Sequence, residues 1–305
     1  MARRFARVVL HCSIALGIGA CDSDSSAVPC TMDDQCASHF CQADDTCAPL
    51  PTADAGMSSD GTAPPDGGSG GDLCTPNLDG IIEANEIPLA AGKTANYLIA
   101  TNPTWNTAGS AATNNNRDWD LSGALSGDTN TPVTLAAPSG AWWAGDFGSA
   151  TYATVLSSSS TLLGVFHVDT TGVTLLGVVS PSGGAGSTEL TYSPPAKILA
   201  VPFMAGSTWT STSNVTGTAD GVVAAYTEEY DSTVDEVGTM KTPYGSFPVL
   251  RVATNLLRDS IADSRTFAWV AECFGSVAQA TSQAYPDTVP TGDFSNPAEV
   301  WRITP

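Results

Sequence analysis

The sequence predicts a mainly β protein: one antiparallel β-sandwich or curved half-barrel over residues 73–305, following a signal peptide, a small disulfide-stapled segment and a disordered linker. Two observations carry the fold class. Runs of β-branched and aromatic residues are bounded by Gly, Pro, Asp and Ser at short spacing, and few long stretches keep a helical period. Residues 162–168 and 173–179 flank Asp169-Thr-Thr-Gly172, which is hairpin chemistry with glycine where φ turns positive. Residues 222–230, 247–254 and 266–273 read as further strands, the last of these holding Cys273.

The elements follow in chain order. Arg3, Arg4 and Arg7 precede a short apolar run that ends Ile18-Gly19-Ala20-Cys21, so residues 1–20 read as a secretory signal. Cleavage before a cysteine resembles the lipobox of bacterial lipoproteins. That resemblance implies a diacylglyceride on Cys21 and a membrane partner held through the N-terminal lipid. Asp22 leaves the inner membrane open beside the outer. Residues 161–179, the best later candidate for a membrane span, carry His167 and Asp169 and read as the hairpin instead.

Residues 21–50 hold Cys30, Cys36, Cys41 and Cys47 at C-x5-C-x4-C-x5-C. A segment this short cannot bury a self-sufficient core and needs staples. Of the three pairings open to four cysteines, the interlaced one is preferred, Cys30–Cys41 with Cys36–Cys47. Residues 51–72 are Pro, Gly, Ser, Asp and Ala with almost no bulky apolar group, and read as a spacer. Cys74 and Cys273 are the two cysteines left for the β-domain, so a long-range disulfide between them is expected.

Charge narrows the partners. Three of the eleven Lys and Arg lie in the signal, which leaves eight against 31 acids and a formal charge near −23. Such a balance opposes nucleic-acid binding and leaves a protein, glycan or lipid ligand as the open classes.

Chemistry is sparse. From Thr75, the segment up to Glu86 sets Asn77, Asp79, Gly80, Glu83 and Glu86 in EF-hand register, resembling an EF-hand or dockerin loop for Ca2+. Thr75 stands where an aspartate belongs, and the alternative is an Asn/Asp-Gly turn into the first strand. His167 is the one histidine of residues 73–305, sharing a face with Val165 and Asp169. Nucleophile-elbow, H-E-x-x-H, phosphate-loop and dinucleotide motifs are absent from residues 73–305, so no catalytic residue is expected. Glu228, Glu229, Asp231, Asp235 and Glu236 read as the solvated side of a sheet, with Tyr226, Glu228 and Tyr230 on one face. Trp105, Trp119, Trp142 and Trp143 sit in polar surroundings that suit either a sugar site or buried anchors.

The order of lipobox, cysteine-rich segment, acidic spacer and C-x4-D-G-x-I motif resembles uncharacterised myxobacterial lipoproteins of the outer envelope. Residues 142–156, 188–195, 203–209 and 267–277 extend that likeness over most of the chain. It implies an envelope address and a β-rich domain, and brings no catalytic residues. From Tyr192 onward a fainter likeness to curved-sheet envelope carriers implies an acyl-binding half-barrel as the alternative. An envelope hydrolase using His167 is a third reading.

Overall fold

The computed structural model describes residues 74–284 and 291–305. The signal, Cys21, the cysteine-rich segment with Cys30, Cys36, Cys41 and Cys47, and the spacer lie outside the described residues. Among those described there is no α-helix, only two short 3-10 turns, Ala84–Glu86 and Thr113–Asn115.

The strands run β1 (Ile81–Ile82), β2 (Thr94–Thr101), β3 (Ser110–Ala111), β4 (Arg117–Asp120), β5 (Thr129–Thr134) and β6 (Tyr152–Val155). Then come β7 (Leu163–Asp169), β8 (Gly172–Val179), β9 (Glu189–Ala200), β10 (Phe203–Met204) and β11 (Thr208–Ala219). The last are β12 (Val222–Lys241), β13 (Ser246–Arg258), β14 (Ile261–Ala271), β15 (Gly275–Thr281) and β16 (Glu299–Thr304).

One sheet of fourteen strands takes all but β1 and β10, in the order β5-β2-β16-β15-β14-β13-β12-β11-β9-β8-β7-β6, with β3 and β4 as a side branch on β12. Just past β5, Ala136 exchanges two backbone hydrogen bonds with Ala153 of β6, at 2.8 and 2.9 Å, so the two ends of the sheet nearly meet. The result is a curved, nearly closed half-barrel, as the sequence predicts. Closing a sheet this way leaves few edges open to other chains.

The hairpins follow their turn chemistry. Gly172 closes β7 onto β8 at φ 137°, and a Cβ there would stand 1.9 Å from the Leu199 carbonyl oxygen. β11 turns into β12 through Asp220 (φ 50°) and Gly221 (φ 75°), a two-residue loop with both residues left-handed.

Where one face meets water the strands alternate, and where both faces are covered they do not. β13 sends Leu250, Val252 and Leu256 into one core and Val249 and Ala253 into another. The first core joins residues from β6 through β14, including Phe166, Leu199, Tyr230 and Val270, and covers one face of these strands. The second gathers Tyr97, Trp119, Phe267, Trp269 and Trp301 around β2, β14 and β16.

The position of Cys273 corrects the sequence reading. β14 ends at Ala271, and Cys273 occupies a turn with φ 65° before two further strands. Its disulfide to Cys74 is present, with Cα atoms 5.5 Å apart across a separation of 199 residues.

β4 joins β12 in parallel, placing Arg117 opposite Gly238. A Cβ at Gly238 would stand 1.7 Å from the Arg117 carbonyl oxygen, whereas one at Gly145 meets nothing within 4 Å. Gly238→Ala is therefore expected to cost about 1–3 kcal/mol in chemical denaturation, with Gly145→Ala close to neutral. Equal denaturation midpoints for the two variants would refute this account of the β4–β12 junction.

Candidate functional site

The segment read as a calcium loop turns its oxygens onto the backbone. Asn77 Oδ1 accepts the Asp79 N–H at 2.9 Å, and Asp79 Oδ1 accepts the Ile81 N–H at 2.8 Å. The N–H groups of Asn77 and Leu78 donate to Glu272 Oε2 at 2.8 and 2.7 Å. Glu86 is buried and accepts the Glu83 N–H at 2.9 Å, while the Cys273 N–H donates to the Glu86 carbonyl. Burial, together with the charges of Glu272, Asp79 and Glu83, pushes the Glu86 carboxyl above its ordinary range despite that hydrogen bond. Among the described residues no group of three or more His, Cys, Asp or Glu side chains is arranged to hold a metal ion. The segment clamps the start of the domain to the Glu272–Cys273 turn.

His167 lies on the half-exposed shoulder of the β7–β8 hairpin. Its Nδ1 is 2.7 Å from the Ser149 carbonyl and its Nε2 is 3.8 Å from Asp169 Oδ2, on the face the alternation predicts. The tryptophans act chiefly as anchors. Trp119 and Trp143 are buried, and Trp105 packs edge-on against Trp269. Trp142 is exposed at 37 %, yet its indole N–H is held by the Ser180 carbonyl at 3.0 Å.

The acidic run departs most from the sequence reading. Tyr226, Glu228 and Tyr230 do share a face, but that face is the interior. Glu228 is 1 % exposed, where a solvated strand residue was expected. Its Oε1 accepts two bonds from Arg258, at 3.2 and 2.8 Å, and its Oε2 accepts the hydroxyls of Tyr192 and Tyr230 at 2.8 and 2.7 Å. The Arg258 guanidinium lies over the Tyr226 ring and 3.7 Å from the buried Asp263. Burial alone would lower the Arg258 pKa, but the charges of Glu228 and Asp263 outweigh it and hold the guanidinium protonated. Asp235 and Glu236 are also paired. Asp235 takes two bonds from Arg251, and Glu236 lies 3.4 Å from Arg117. The sequence signal for Glu228 was its alternation with two tyrosines; Arg258, one hairpin away, was invisible to local reading.

Against the first core a cavity of about 30 Å³ is lined by Leu199, Tyr230, Val252, Ser264, Thr266 and Gln279, among others. It has room for a water or two, far below the ~300–1,000 Å³ of a small-molecule pocket. Gln279 is 2 % exposed, and neither polar atom of its amide has a hydrogen-bond partner among the described residues.

At the far end of the strands the surface is apolar. Val222 is 63 % exposed, Val223 83 % and Ile261 62 %, around the tips of the β11–β12 and β13–β14 hairpins. β13 stops at Arg258 opposite Glu228, so residues 222–226 pair with β11 on one side only. Sequence reading placed a strand here but had no means to see its missing neighbour.

Compared with known protein families, curated proteins and solved structures, the chain matches none. The candidate site accordingly rests on this geometry alone.

Proposed function

We propose that this protein is a lipid-anchored module of the cell envelope that binds or organises a partner without catalysis. The Cys74–Cys273 disulfide is the observation that carries the reading. A bond of this kind persists in an oxidising, extracytoplasmic compartment and is rare elsewhere. It also marks the end of the domain at which the described chain begins. Cys273 follows the end of β14 opposite Ile261, so the chain enters at one end and the apolar hairpin tips stand at the other. Eleven strand residues separate the two, about 35 Å at ~3.3 Å each.

The favoured address is the outer membrane, with the inner membrane as the alternative that Asp22 raises. An acyl carrier is the weaker reading, because large side chains fill the first core and the cavity against it has the size of a water or two. The buried carboxylate Glu228 and the more accessible Asp235 and Asp128 are each tied to arginine, which supports a structural role for them.

Metabolic labelling with an alkyne palmitate tests the anchoring. Wild-type protein is expected to carry label and sediment with membranes, and Cys21→Ala to lose both. Unlabelled wild-type protein in the soluble fraction would sink the proposal.

A further inference from the structure

We infer that the open edge of β12, residues 222–226, is a docking strand for an extended basic segment of another protein. The inference deepens the binding-module reading and rests on it.

The geometry of the edge comes from one capping residue. Asp259 follows the last residue of β13, and its Oδ1 accepts the Thr227 N–H at 2.9 Å while its own N–H donates to the Thr227 carbonyl at 3.0 Å. The backbone groups of Thr227 therefore face the side that β13 has vacated. Along a strand these groups alternate in direction, so Ala225 and Val223 present N–H and C=O to the same open side. The hairpin agrees: Val222 closes the two-residue loop against Ala219, which turns the even-numbered residues toward β11. Val223 and Ala225 thus supply donors and acceptors in the spacing an incoming strand needs.

The two terminal strands of the sheet are protected. β5 carries Pro132, which cannot donate to a ladder, and β6 is four residues long and bridged through Ala153. The start of β12 has neither device and is the most exposed apolar stretch among the described residues, with Val223 at 83 %.

Charge selects the occupant. The run Val222-Val-Ala-Ala-Tyr226 is uncharged, but exposed Asp220 and Asp259 flank it and Glu229 continues the outer face of Val223. The whole chain carries a formal charge of −20. A strand alternating apolar residues with Lys or Arg meets this surface with opposite charge, and its approach is accelerated by the field. A second copy would set the same acids against each other across a two-fold axis.

The test uses the full, disulfide-intact chain and a fluorescein-labelled peptide, acetyl-Lys-Val-Lys-Val-Lys-Val-amide, followed by anisotropy. Saturable binding is expected, with roughly tenfold or greater weakening when Glu replaces Lys or when a central Val becomes Pro. Ala225→Pro removes an N–H that bonds nothing in the fold, so it should weaken binding by at least about tenfold with an unchanged melting temperature. Should that variant melt early, Val223→Lys, which alters only an exposed side chain, is expected to weaken the basic peptide instead. No saturable binding, or binding indifferent to both variants, overturns the inference. A concentration-dependent dimer in sedimentation that Ala225→Pro abolishes also overturns it, by assigning the edge to a second copy. Palmitate labelling at Cys21 is independent of all these readouts, so failure of the edge and failure of the anchored reading are told apart.

Discussion

Replacing Arg258 by Met is expected to cost about 3–5 kcal/mol, because it strands buried carboxylates without their cation. Glu228 is 1 % exposed and Asp263 0 %, and both lie within reach of the Arg258 guanidinium. Removing the guanidinium takes two hydrogen bonds and, among the described residues, the one cation paired with both carboxylates, leaving two like charges inside the core. The tyrosine hydroxyls on Glu228 soften the loss but cannot neutralise it. At ~2–4 °C per kcal/mol for a domain of this size, the melting temperature should fall by roughly 6–20 °C. Glu228→Gln combined with Arg258→Met should recover part of the stability, since the pair is coupled. A single variant that melts with the wild type would show that the cluster is solvated and its burial misread.

Reducing the Cys74–Cys273 bond should cost a comparable amount. In the loop-entropy account, cross-linking across 199 residues removes about 5 kcal/mol of freedom from the unfolded chain. Native contacts at the site survive reduction, because Glu272 holds the N–H groups of Asn77 and Leu78 and the Cys273 N–H reaches Glu86. The folded state should therefore keep its structure while its denaturant midpoint drops. The slope of the transition should rise as well, because a reduced unfolded chain exposes more surface. Coincident transitions for oxidised and Cys74→Ser/Cys273→Ser protein would mean that the bond staples only a fraying end.

These effects bear on function through rigidity. Arg258 ends β13 and Asp259 follows it, so the same turn holds the buried cluster on one side and caps the open edge of β12 on the other. A docking strand is useful only while its neighbour is kept away from it. The Arg258–Glu228 pair locks β13 at the residue where it must stop.

Much of the fold was legible along the chain because strands announce themselves locally. The hairpin at Asp169–Gly172 follows from alternation and one glycine, and the β12, β13 and β14 cores appear as apolar runs between turn residues. The Cys74–Cys273 pair followed by elimination, needing no geometry at all. Other strands were hidden for specific reasons. β9 contains Pro194 and Pro195 and is broken by register shifts against β8; β11 is rich in Thr and Ser because most of its side chains are wet; β15 is buried at every position and so shows no period. What only the tertiary structure decided is which neighbour each strand has. Glu228 became a core residue because a guanidinium from the next hairpin arrived to neutralise it, and residues 222–226 became an edge because β13 ended six residues short of the hairpin tip. Hydrophobic period and turn chemistry act over a few residues, whereas pairing and charge compensation act between segments that only folding brings together.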